Sequence, residues 1–190
     1  MSENKKRISI TGDPGSGKST FAKSVAAYTG YEMITTGNIF RKLAAERGVS
    51  ITKLNEMAEI QKELDAQVDD YLVSLNETDT SFVLDSRMAW HFVKDTFKVR
   101  LTVDPDEAVR RIFSDTTDAE FREKFSSLEE AMEEVEKRKQ SEIRRYQKLY
   151  GVNIGNDSNF DLVINTSHTS KEETLQIFKD AYEEYRAKDS

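Results

Sequence analysis

Gly12-Asp13-Pro14-Gly15-Ser16-Gly17-Lys18-Ser19-Thr20 decides how the rest of this chain is read. It matches G-x-x-x-x-G-K-[ST], the P-loop pattern. The stretch follows a β-like run, Ile8-Ser-Ile-Thr11, and leads into a helical pattern carrying Phe21, Ala22, Val25 and Ala26. Strand, glycine loop, helix is the setting that the motif requires. Glycines let the backbone curl so that successive N–H groups face phosphate oxygens, and the helix N-terminus adds partial positive charge there. Residues 12–20 are therefore the expected cradle for the phosphates of ATP. Lys18 is expected to reach the β- and γ-phosphates, and the Ser19 hydroxyl to ligate Mg²⁺.

Working outward, four further β-like runs appear: the weak Glu32-Met-Ile34, then Ser81–Asp85, Phe97–Val103 and Asp161–Asn165. Helical segments lie between them, and such alternation predicts an α/β fold with a parallel sheet. Leu64, Val68, Tyr71, Leu72 and Leu75 share one face of a helix expected over about 62–76. Gly48 fits just past the end of the helix that starts near Gly37. Asp104-Pro105, Ser127 with Glu130, and Ser170 with Glu173 mark helix starts. Asp85 ends an apolar run, Phe82-Val-Leu84, at the ligand edge of such a sheet, where a carboxylate would hold Mg²⁺.

Composition narrows the class. The 190 residues fit one domain, 1–190, and 10 Phe with 7 Tyr argue against a disordered chain. The absence of cysteine excludes disulfides and thiolate metal sites, and the presence of only two histidines, His91 and His168, argues against a multi-histidine centre. The net charge of −7 argues against bulk affinity for nucleic acid or anionic membrane. No apolar run suits a membrane span and no signal peptide is evident, so a cytoplasmic protein, expected to be a monomer, is the reading. The charge is uneven: residues 1–58 hold nine Lys and Arg against five Asp and Glu, and 59–190 hold nineteen against thirty.

Thr35-Thr36-Gly37-Asn38-Ile39-Phe40-Arg41 is where the chain resembles the nucleoside monophosphate kinases, whose acceptor segment reads T/S-G-D-x-x-R. Leu84-Asp85-Ser86-Arg87-Met88-Ala89-Trp90 resembles the D-G-R-x-A-x-W region of archaeal-type cytidylate kinases. Arg138-x-x-x-Glu142-x-x-Arg145-Tyr146 with Tyr150-Gly151-Val152, and Asp161-Leu-Val-Ile-Asn-Thr-Ser167, look like two more of that family's stretches. The resemblance runs from about residue 7 to about 180. It departs at Asn38, at Ser86 and at Ser114–Asp118.

The resemblance implies a three-layer P-loop fold with a five-stranded parallel sheet in the order 2-3-1-4-5. The core would be 1–36, 81–113 and 151–190, with an acceptor-binding insert at 37–80 and a lid at 114–150. It implies transfer of a phosphoryl group from ATP, with Mg²⁺, to a nucleoside monophosphate, CMP or dCMP first. Thr36, Gly37, Asn38, Arg41, Arg87 and Glu142 would bind the acceptor. Lys18, Arg138, Arg145 and Arg111 would serve the transfer, although Arg110 beside Arg111 could take its place. Six basic residues and one acid lie between Lys137 and Lys148. A bound anion would relieve their repulsion. A kinase for AMP, UMP or a metabolite, and a nucleotide-binding module without turnover, remain open at this point.

Overall fold

A P-loop followed by alternating strands and helices calls for central strands buried on both faces, and the three central strands meet that demand while the edge strands are partly exposed. Ile8, Ile10, Val83, Leu84, Val99 and Leu101 are fully buried. The computed structural model describes residues 6–46, 48, 61–114 and 127–188. Its five strands form one parallel sheet in the order β2-β3-β1-β4-β5, the order expected from the sequence. They are β1 (Arg7–Gly12), β2 (Glu32–Thr35), β3 (Phe82–Asp85), β4 (Thr96–Thr102) and β5 (Leu162–Asn165).

The chain groups into two compact units. The first comprises residues 1–11 and 22–97. Here β3 pairs in parallel with β1 (Ile10 opposite Asp85) and with β2 (Thr35 opposite Asp85). The helices are α1 (Lys18–Thr29, which begins in the other unit), α2 (Thr36–Glu46), α3 (Gln61–Ser74) and the short α4 (Ala89–Phe92). Gly48 follows α2 at φ 65° and donates to the Ala45 carbonyl, the left-handed stop expected of it. Val68, Leu72 and Leu75 join Ile34, Ile39, Phe82 and Leu84 in the core, with Tyr71 against them. The Leu64 side chain lies outside the described residues. Leu72→Ala should therefore destabilise the chain by about 2–5 kcal/mol, the cost of a cavity at a fully buried position. A urea titration reads this as a lower midpoint with an unchanged slope.

The second unit comprises 12–21 and 98–190. It holds the glycine loop, most of β4, β5, α5 (Pro105–Ser114), α6 (Leu128–Tyr150) and α7 (Lys171–Lys188). The β4–β5 ladder sets Leu101 opposite Ile164. Phe178 and Tyr182 of α7 are buried, and Phe178 meets Phe21 edge-on at 5.7 Å. On α6, Ala131 and Val135 pack with Val109 of α5. The helix ends follow the capping signals. Ser127 Oγ accepts the Glu130 N–H, and Gly151 (φ 70°) closes α6 by donating to the Gln147 carbonyl. Ser170 and Glu173 bond reciprocally, 2.7 and 3.1 Å, as a full capping box. No described helix is long and apolar enough to cross a membrane.

Candidate active site

The glycine loop closes on itself and on its neighbours through backbone groups. The Asp13 N–H donates to the Leu101 carbonyl (3.0 Å), the Ser16 N–H to the Asp13 carbonyl (3.1 Å), and the Phe21 N–H to the Gly17 carbonyl as α1 begins. Gly15 (φ 77°) and Gly17 (φ 79°) hold the left-handed conformation that curls a loop. Gly15 also lies flat against α5, where a Cβ would meet the Ala108 carbonyl oxygen at 2.8 Å. The loop is thus a cradle built on the ends of β1 and β4 and on the first turn of α5. Lys18, half-buried, opens α1 at its rim, with Ser19 and Thr20 exposed beside it.

Charge around the cradle is arranged by residues that the motif does not contain. Asp13 is 12% exposed and carries two cations. Arg100 Nη2 lies 3.4 Å from one carboxylate oxygen, and Lys139 Nζ of α6 lies 2.8 Å from the other. Arg100, buried in β4, also donates to Asp157 Oδ1 and to the Gly155 carbonyl, both at 2.6 Å. Its fork is therefore spread over two carboxylates and one carbonyl, which suits a buried guanidinium.

Arg111 donates to Glu107 (2.7 Å), to the Thr166 hydroxyl (3.1 Å) and to the Thr166 carbonyl. The Thr166 hydroxyl in turn donates to the Ser16 carbonyl at 3.1 Å, with the Thr102 carbonyl at 3.2 Å. Arg111 is therefore tied to the cradle through one threonine. Arg110, by contrast, is exposed and bonds Glu107. The hydrogen bonds of Arg110 and then Arg111 hold the Glu107 carboxyl at about 2, well below the usual carboxylate range.

The other unit brings the strand ends together. Asp85 is buried at the end of β3, and its backbone carbonyl accepts from the Thr36 hydroxyl at 3.4 Å. Thr35 Oγ1 accepts the Asn38 N–H and so caps α2, which leaves Gly37 and Asn38 exposed on its first turn. The Arg87 carbonyl accepts from Trp90 Nε1 (3.0 Å) and from the Thr11 hydroxyl (3.4 Å). Ser86, which stands where the family has glycine, is buried, and its hydroxyl accepts the Met88 N–H. Its φ is not positive, so this turn does not require glycine.

Of the remaining expected residues, the Arg41 and Arg138 side chains lie outside the described residues. Arg145 is exposed, 5.8 Å over the Tyr146 ring, and Glu142 is half-buried. His91 is exposed and its ring contacts those of Trp90 and Phe92. Residues 115–126, which include most of the Ser114–Asp118 departure from the family's lid start, also lie outside the described residues. Among those described, no group of three or more histidines or carboxylates could hold a metal ion unaided.

The cytidylate kinase-like family model matches residues 7–168, most of the chain and all of the cradle. A cytidylate kinase of Haloquadratum walsbyi is 36% identical over 180 residues, covering 94% of this chain and 90% of that one. One from Methanothrix thermoacetophila is 33% identical over 170 residues, covering 90% and 94%. In fold alone, the chain is similar to shikimate kinase from Bacteroides thetaiotaomicron. The TM-score is 0.63 at 16% identity, over 94% of this chain and 98% of that one. The chain belongs to the cytidylate kinase-like family, a family of nucleoside monophosphate kinases.

Proposed function

We propose that this nucleoside monophosphate kinase transfers the γ-phosphoryl group of ATP to CMP or dCMP, giving ADP and the cytidine diphosphate. The observation that carries the reading is the family match across 7–168, which includes the cradle, the Asp85 strand end and the lid helix α6. The kinases at 36% and 33% identity bear the cytidylate name, which favours cytosine over other bases.

In this reading, an acceptor phosphate oxygen attacks the γ-phosphorus and the bond to the β–γ bridging oxygen breaks. The acceptor is already anionic, so no general base is needed, and neither His91 nor His168 has a role. The N–H groups of 12–20 bind the donor phosphates and Lys18 meets the charge on the moving group. Thr36, Gly37, Asn38, Arg41 and Arg87 hold the acceptor, and a guanidinium fork suits its phosphate. Arg138, Arg145 and Glu142 act from the lid. Arg111 holds the 165–167 turn against the cradle from the donor side.

The residue types suit Mg²⁺: the Ser19 hydroxyl and the Asp85 carboxylate would each offer a hard oxygen, and Mg²⁺ takes one or two such protein ligands with substrate phosphates and water. When bound, Mg²⁺ would neutralise charge on the donor phosphates.

A panel of CMP, dCMP, UMP, AMP and small metabolites, read by ADP release, tests the reading. CMP or dCMP should give the highest kcat/KM. Arg41→Ala should raise the KM for the acceptor on the order of 10²-fold while the KM for ATP stays within about twofold. Turnover confined to another acceptor would sink the cytidylate assignment. ATP binding without turnover on any acceptor would point to a module that binds nucleotide and does not catalyse.

A further inference from the structure

Along α6, Ala131, Val135, Lys139 and Ile143 follow one another at four-residue spacing and so share one face. The face is in use along its length. Ala131 and Val135 pack on α5. Ile143 faces Gly155, where an added Cβ would meet its Cδ1 at 3.3 Å. A lysine in this register interrupts an otherwise apolar stripe, and its ammonium is delivered to Asp13 of the cradle at 2.8 Å. Lys139 is 30% exposed and Asp13 12%, and 126 residues separate them.

A carboxylate in a loop built to bind phosphates is an electrostatic liability, because it repels the ligand. Asp13 is tolerable because Arg100 sits on one side of it and Lys139 on the other. The two cations are not equivalent. Arg100 is buried and fixed by Asp157 and the Gly155 carbonyl. Lys139 has Asp13 as its one ion-pair partner among the described residues, and its four-carbon stem lets the ammonium swing while the helix stays put.

We propose that Lys139 binds the donor phosphates, that Asp13 positions it over the cradle before nucleotide arrives, and that Arg100 fixes Asp13. When the triphosphate enters, Lys139 shares its hydrogen-bond donors between Asp13 and a phosphate oxygen. Arg100 continues to neutralise Asp13 throughout. This rests on the reading of residues 12–20 as the ATP site.

Calorimetric titration of the whole chain with Mg–ATP tests the role, alongside steady-state kinetics and thermal unfolding. Lys139→Met should raise the Kd for ATP about tenfold while the acceptor KM moves less than twofold, and Lys139→Arg should recover most of the loss. Asp13→Asn keeps a hydrogen-bond acceptor for Arg100 and removes the ion pair. It should raise the Kd about threefold in the parent and cause no further rise in a Lys139→Met background.

A role in packing alone predicts a lower Tm for Lys139→Met with the Kd for ATP unchanged, and that result overturns the proposal. A tighter Kd in Asp13→Asn overturns the positioning role. Gly15→Ala, which disrupts the cradle itself, separates this inference from the one beneath it. If the parent binds ATP, Gly15→Ala loses it and Lys139→Met does not, only the inference about Lys139 fails. If the parent gives no ATP signal at all, the kinase reading fails with it.

Discussion

Lys18→Met should lower kcat/KM about 10³-fold, equivalent to about 4 kcal/mol of transition-state stabilisation. Lys18 is the first residue of α1 and the lysine of the glycine loop. In phosphoryl transfer the protein contributes positioning and opposite charge and makes no covalent bond of its own, so a cation on the moving group is where binding energy is used in the transition state. Removing one such donor from a preorganised site costs on the order of 10²–10³ in kcat. The backbone N–H groups of 12–20 remain, so the KM for ATP should rise much less than kcat falls. Arginine should not rescue: its planar fork is wider than an ammonium and cannot occupy the same point between two phosphates. The unfolding midpoint should not move, because Lys18 belongs to the rim of the cradle, outside the buried core. Single-turnover measurements with saturating ATP would check this. A variant whose loss lay wholly in ATP binding would show that Lys18 grips ground state and transition state alike.

The parts of this site that could be read before folding are those where chemistry demands a residue type at a fixed local spacing. The cradle is one such part. The caps are another: Ser170 with Glu173, and Gly48 and Gly151 in left-handed turns, each depend on neighbours within a few positions. The sheet order followed once the family was recognised, because the order of elements and the P-loop leave few alternatives. What could not be read depends on residues far apart in sequence. Arg100 lies inside a β-like run and looks like an interruption of it. Only the fold sets it beside Asp13, 87 residues away, and Asp157, 57 residues away. Asp13 itself reads in the sequence as one more residue of the phosphate cradle, with nothing to show which cations neutralise it. The choice between Arg110 and Arg111 also needed the fold, because it is Thr166 after β5 that engages Arg111 and leaves Arg110 outside. Ser86 reads as a departure from the family pattern, and only the fold shows that its turn accommodates a serine, with no positive φ and with the hydroxyl accepting the Met88 N–H.

Gly15→Ala should abolish measurable ATP binding, raising Kd by 10² or more, while leaving the chain folded. Two costs combine. A residue with a Cβ pays about 1–2 kcal/mol to hold φ 77°. The Cβ would also lie 2.8 Å from the Ala108 carbonyl oxygen and 2.9 Å from its Cα, and neither is a flexible side-chain end that can step aside. Something in the backbone must shift. If α5 moves, it carries Arg111, and with it the bonds to Thr166 that brace the Ser16 carbonyl. If the loop moves, the curled N–H groups no longer converge on one point, and phosphate binding needs them to converge. Either way the damage reaches the cradle. Gly151→Ala separates strain from contact, since Gly151 has φ 70° with nothing within 4 Å of an added Cβ. It should cost about 1–2 kcal/mol in urea unfolding and leave ATP affinity alone. Equal ATP affinity in Gly15→Ala and the parent would mean that the loop closes over phosphate in a conformation other than this one, and that its contact with α5 is dispensable.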